Sequence, residues 1–289
     1  MNLTADSLQG HEGWRWQLSN GDSVFVARQG AQVLSWCAGG EERLFLSPKA
    51  ACDGSSAIRG GIPICFPQFN QRGSLPKHGF VRNMPWHLLK NQSQGEDKVF
   101  EFVSNENSLQ LWPVKFRALL TVSLSTTGLK VTLAVQNLDT QLLTFSGALH
   151  TYLAIKNVSH VRLLGQVQQP EWDAVKDAHQ TCSGELHFNA EFDRVYDVAH
   201  VASDENTTET CTWLLQEGDH HLQIAQSNSW GQSVVWNPGA EKCAQLADMP
   251  QDAFLKMLCV EAARVTSTIN VQPAHTWEGW QQLRLETPC

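Results

Sequence analysis

Two side chains in this sequence are suited to moving protons, His150 and Glu261. His150 lies in Phe145-Ser146-Gly147-Ala148-Leu149-His150-Thr151-Tyr152-Leu153-Ala154-Ile155, a run apolar enough for a buried strand. A lone imidazole there must find polar partners, and a satisfied core histidine is the commoner outcome. Facing a pocket, it would accept one proton and donate another near pH 7. Glu261 ends the apolar run Phe254-Leu255-Lys256-Met257-Leu258-Cys259-Val260-Glu261. At a sheet edge this carboxylate would be unremarkable. Held in a pocket, burial would raise its pKa toward the working pH and make it a usable base.

A second signal is one of charge. From Gly54 to Gly95, 42 residues, there is no Asp or Glu. With 29 acids in 289 residues, chance would place roughly 4 there. The same stretch carries Arg59, Arg72, Lys77, Arg82 and Lys90. A phosphate needs cations and free N–H groups, and any nearby carboxylate raises the cost of binding it. Gly60-Gly61, directly after Arg59, is expected to let the backbone approach a ligand closely. Charge alone does not separate this reading from a solvated basic loop.

Rival chemistries lack their residues. There is no H-E-x-x-H, G-x-S-x-G, G-x-G-x-x-G or P-loop. His220 and His221 are adjacent, so on a strand they point to opposite faces and do not share a metal. The 11 tryptophans offer stacking faces for sugar rings, although large aromatics mostly fill cores. A net charge of −8 argues against nucleic acid or an anionic membrane as partner. The eight cysteines include no C-x-x-C pair and read as reduced thiols. No signal peptide and no apolar run of spanning length is visible, so a cytoplasmic location is expected.

The elements that must position these groups are strands. Leu129, Val131, Leu133 and Val135 alternate with polar or small residues, as do Trp14, Trp16 and Leu18. Asn20-Gly21 predicts a hairpin with a type I′ turn; Thr127-Gly128 and Glu217-Gly218-Asp219 predict two more. Short helical pieces are expected only over Ala240 to Ala247 and near Asp252. The fold class expected is all-β, a single antiparallel sandwich domain over 1–289.

In chain order, several pieces resemble the hexose-6-phosphate mutarotase branch of the aldose 1-epimerase family. They are Ile58-Arg59-Gly60-Gly61-Ile62-Pro63 with Phe66-Pro67, Leu75-Pro76-Lys77-His78-Gly79, Pro85-Trp86 and Leu149-His150-Thr151-Tyr152. Glu191-Phe192-Asp193-Arg194-Val195-Tyr196, Val234-Val235-Trp236-Asn237-Pro238 and Cys259-Val260-Glu261 follow. Each piece is weakly specific, and the ordered set is strongly so. The resemblance implies an antiparallel β-supersandwich with an open sugar cleft, His150 as general acid and Glu261 as general base. It implies substrate contacts from Arg59, Lys77, His78, Arg82 and Asp193, and neither metal nor organic cofactor. The partner implied is a small-molecule hexose phosphate, and the chain is expected to be a monomer. An unphosphorylated aldose as substrate, or a non-catalytic carbohydrate-binding role, stay as alternatives. Lys77 stands where some relatives carry Gln, which adds a cation. Gln166 to Asp177 is less regular than the family pattern and leaves the cleft rim at Trp172 undefined. The acid and base are expected on opposite sides of one sugar-sized hollow with positive charge at its lip.

Overall fold

Strict alternation becomes strict two-sidedness. Leu129, Val131, Leu133 and Val135 are all buried, and they lie on a ten-residue strand, Gly128–Asn137, whose burial alternates along its length. The computed structural model describes residues 3–198 and 209–286. Three sheets of nine, eight and five strands account for most of them, and every strand pairing is antiparallel. This is the antiparallel all-β sandwich that the alternation and the family resemblance imply.

The eight-stranded sheet carries Glu261 and Asp193 and borders His150. From one edge it runs Ala178–Thr181, Pro170–Asp173, Phe192–Asp197, Gln232–Asn237, Met257–Val271, Leu143–Leu149 and Ile64–Cys65, with Tyr152–Ala154 also paired to Met257–Val271. Its two faces are sorted by residue parity. Leu149, Tyr196, Val235, Val260 and Ala262 join the main apolar core, together with Leu120, Val122 and Leu133 of the nine-stranded sheet. Cys65, Ala148, Val195, Val234 and Ala263 form a separate cluster on the other face. Each fully buried Val, Leu or Phe contributes roughly 1.5–3 kcal/mol, so this sorting fixes which residues face outward into the cleft.

The hairpins fall where turn residues mark them. Phe116–Ser125 and Gly128–Asn137 pair up to Ser125 opposite Gly128, and Glu217 pairs with His220 across Gly218-Asp219. The Asn20-Gly21 hairpin forms with a different turn. Gln17 is the last residue paired, opposite Ser23, which leaves five residues in the loop. Only Gly21 there has a positive φ, 94°; the Asn20 carboxamide instead accepts from Asp22 N at 3.1 Å. Helix Gly239–Cys243 and the short 3₁₀ turn Ala253–Leu255 occupy the expected places. Helix Glu106–Leu111 was not expected; Asn105 and Ser108 cap it reciprocally. Cys37, Cys52, Cys65, Cys182, Cys243 and Cys259 are free thiols, while the side chains of Cys211 and Cys289 lie outside the described residues. No described helix is long and apolar enough to cross a membrane.

Candidate active site

Strand register brings the two proton carriers together. Trp172 pairs with Val195, Val195 with Val234 and Val234 with Glu261. On the next strand Leu149 pairs with Ala262, so one step further puts His150 opposite Glu261. His150 Nε2 lies 3.3 Å from Glu261 Oε1. They do not face each other across a hollow, as expected; they touch, side by side on one wall. Both are buried, Glu261 to 1% exposure and His150 to 8%.

The backbone beneath this contact is pinned. Val260 N donates to Thr151 O at 3.1 Å, Thr151 Oγ1 donates to Gln281 Oε1, and Gln281 Nε2 donates to Val260 O at 3.0 Å. Tyr152 lies flat on the His150 ring, with centroids 4.8 Å apart and planes 12° from parallel. Trp236 meets the same imidazole edge-on at 6.1 Å.

Four of the sequence-predicted residues meet His150 in one small cavity of about 100 Å³: Arg59, Lys77, His78 and Arg82, with Tyr152 and Asp248 also on its wall. Arg59 is held from both ends. Its Nε donates to Asp248 Oδ2 at 2.9 Å and its Nη1 to the Tyr152 hydroxyl oxygen at 3.0 Å. Despite burial, these two partners keep the guanidinium firmly charged. Arg82 Nη2 donates to Lys77 O at 2.9 Å, while its buried Nε has no protein partner, leaving a donor for a ligand. A larger hollow, about 420 Å³, lies elsewhere; Glu41, Glu42, Glu217, Asp219 and Glu286 outnumber Arg43 and Lys156 on its wall, a balance that disfavours a sugar phosphate.

His78 packs edge-on against His150 at 5.5 Å. Its Nδ1 accepts from Asn70 N at 3.3 Å and contacts Cys65 Sγ at 3.2 Å. That fixes the neutral tautomer with hydrogen on Nε2, and burial, reinforced by His150 and Arg82, holds the ring unprotonated. His78 therefore presents a donor and never a general acid. Asp193 lies outside the small cavity, in the neighbouring row of the same sheet face, Asp193–Trp236–Cys259–Tyr152. Burial pushes its pKa up to about 6, against the pull of Lys242 and Lys77.

Burial dominates the electrostatics of the central pair. It lowers the His150 pKa, with Arg82 and Arg59 adding to the effect, and raises that of Glu261, with Asp193 adding. Both directions favour the neutral forms, a protonated carboxyl and an unprotonated imidazole. Cys259 Sγ, His150 and Glu261 place ligand atoms within 4.8 Å of one another, the one His/Cys/carboxylate group of that spacing among the described residues. Burial raises the pKa of the thiol, with Glu261 adding.

The glycine pair after Arg59 has another purpose than ligand approach. A Cβ on Gly60 would lie 2.3 Å from Phe45 O, and one on Gly61 2.1 Å from Val33 O. They let the Arg59 segment pack onto neighbouring strands. Of the remaining cations in the acid-free stretch, Arg72 sits over the Trp172 ring at 4.9 Å and Lys90 lines a separate hollow with Lys98. The rim that the sequence left undefined is thus built: Trp172 Nε1 donates to Asp177 Oδ1 at 3.0 Å, and Arg72 covers the ring. Sequence reasoning missed Asp248, which no pattern links to Arg59, and gave no role to Tyr152, Trp236 and Cys259, although all three stand in the quoted motifs.

Residues 15–284 match the family model described as aldose 1-epimerase. A protein of Cenchrus ciliaris named "Putative glucose-6-phosphate 1-epimerase" is 34% identical over 263 residues, covering 86% of this chain and 77% of its own. One of the same name from Escherichia coli K12 is 33% identical over 261 residues, covering 86% and 83%. The crystal structure of a "putative mutarotase" from Salmonella typhimurium superposes with a TM-score of 0.86 at 25% identity, over 99% of this chain and 94% of that one. A family match from residue 15 to residue 284, joined by relatives 33–34% identical over most of both chains, has one meaning: the chain belongs to the aldose 1-epimerase family.

Proposed function

We propose that this protein interconverts the α and β anomers of a hexose 6-phosphate, glucose 6-phosphate first among them, by opening and reclosing the ring on His150 and Glu261. The observation that carries the reading is the 3.3 Å contact of these two groups, with His150 opening onto a cavity that Arg59, Lys77 and Arg82 also line. The relatives named glucose-6-phosphate 1-epimerase support the same substrate.

The chemistry follows from a hemiacetal. Its hydroxyl oxygen and ring oxygen share one carbon, so an acid and a base in contact reach both. Glu261, as carboxylate, takes the C1 hydroxyl proton while His150, as imidazolium, protonates the ring oxygen. The open aldehyde turns about C1–C2, and the reversed transfers close the other anomer. Each transfer contributes about 10²–10⁴-fold. His78 Nε2–H and Asp193 hold sugar hydroxyls; Arg59, Lys77 and Arg82 hold the phosphate. No hydride or phosphoryl group moves, so these side chains suffice for the reaction.

The continuous apolar core supports reading 1–289 as one domain, and a cleft built wholly within one chain suits a monomer. Free thiols and an anionic sugar substrate fit the cytoplasm. The test is anomer exchange by NMR for several hexose 6-phosphates and for glucose, with and without protein. Faster exchange of the phosphorylated sugars is expected; binding without acceleration, or preference for glucose, would overturn the reading.

A further inference from the structure

Ring opening on this pair needs a carboxylate and an imidazolium, yet burial favours the neutral form of each. The groups responsible are visible. Arg59, Lys77 and Arg82 share the small cavity with His150, against one carboxylate there, Asp248, which is paired to Arg59. Arg59 is bound to the hydroxyl of the tyrosine that stacks on the imidazole, and His78 abuts it edge-on as a neutral ring. On the sheet side it faces Glu261, Cys259 and, one row over, Asp193. Cations lining the same small cavity oppose a further positive charge. They are also the groups assigned to the phosphate, and a phosphate dianion between them would cancel that opposition.

We infer that the substrate's phosphate switches on the acid/base pair as well as anchoring the sugar: seated on Arg59, Lys77 and Arg82, the dianion moves the proton from Glu261 Oε1 to His150 Nε2, creating the ion pair that ring opening uses. The step is balanced. One O–H bond breaks, one N–H bond forms across the 3.3 Å contact, and no proton enters or leaves. Preference for a phosphorylated sugar is then expressed in turnover, not only in binding, because an unphosphorylated sugar meets the pair in its unproductive form. Binding energy from a remote, unreacting group is thereby spent on the reacting centre.

The inference rests on the hexose-phosphate reading, and the experiment separates the two. Anomerisation of glucose is followed at constant ionic strength while phosphite dianion replaces chloride, alongside glucose 6-phosphate as control and with phosphite also tested as its competitor. A saturable acceleration of glucose turnover by phosphite, at least tenfold, is expected. Arg82→Gln supplies a test of sign: it should slow glucose 6-phosphate and quicken glucose without phosphite, since one opposing charge is gone. If glucose 6-phosphate itself is not accelerated, the functional reading fails. If it is, the switch is overturned by phosphite that competes without accelerating glucose, by phosphite that does not compete at all, or by an Arg82→Gln enzyme no faster on glucose. The last result would point to the pair working with its roles reversed.

Discussion

Tyr152 links His150 to Arg59: its ring lies against the imidazole at 4.8 Å and its hydroxyl oxygen receives Arg59 Nη1 at 3.0 Å. A single side chain thereby ties the position of the guanidinium to the orientation of the imidazole.

Removing only the hydroxyl separates these duties. Tyr152→Phe keeps the stack and frees one end of Arg59, which Asp248 still holds. A hydrogen bond of about 1 kcal/mol corresponds to roughly fivefold, and the loss should appear in KM for glucose 6-phosphate with kcat less affected. Tyr152→Ala also removes the stack and should lower kcat. Steady-state kinetics distinguishes the two.

Glu261→Gln and His150→Gln should each lower turnover by about 10²–10⁴-fold. Because the pair shares one proton, the double variant should be little worse than either single one. Circular dichroism should show the fold retained, since the surrounding Thr151–Gln281–Val260 bonds involve neither side chain.

Asp193 makes a prediction about pH. Its pKa is raised from 3.8 to about 6, mainly by burial. The folded state thus binds this proton more tightly than the unfolded chain, a contribution fully present below pH 3.8 and lost as pH rises through about 6. Asp193→Asn should therefore gain thermal stability over the parent at pH 8 and show no such gain at pH 4. The same substitution should raise KM, the usual exchange between stability and function at a binding carboxylate. Melting curves at the two pH values, with kinetics at neutral pH, check both.

Gly61→Ala should injure both stability and binding. Gly61 has φ 62°, and its added Cβ would lie 2.1 Å from Val33 O. Such a substitution costs more than about 1 kcal/mol, or at least roughly 2–4 °C in melting temperature for a chain of this size. Displacing Arg59 should raise KM as well, measurable in the same preparation.

Much of this site was legible because strands have a period of two. Cys259 and Glu261, Asp193 and Val195, Val234 and Trp236 share a face by parity alone, and alternation in Leu129 to Val135 announces the sandwich. Cross-strand register is another matter. Whether His150 meets Glu261 or its neighbour is set by pairings such as Leu149 with Ala262, which depend on the whole sheet. For that reason the pair was expected apart and is found in contact. Asp248 was illegible for a similar reason: its tie to Arg59 bridges distant loops and leaves no local pattern. The glycines after Arg59 carried a true signal with the wrong object, since close approach occurs to strand carbonyls and not to a ligand.

On the proposed chemistry, the contact between imidazole and carboxyl also dictates how the catalyst renews itself. Opening hands a proton one way through the pair and closing hands it back, so each completed cycle leaves both groups as they began. Bulk solvent need supply nothing, and neither direction is privileged. Such an enzyme relaxes a mixture toward its natural anomer ratio at a rate indifferent to buffer strength, and is unable to push that ratio anywhere else.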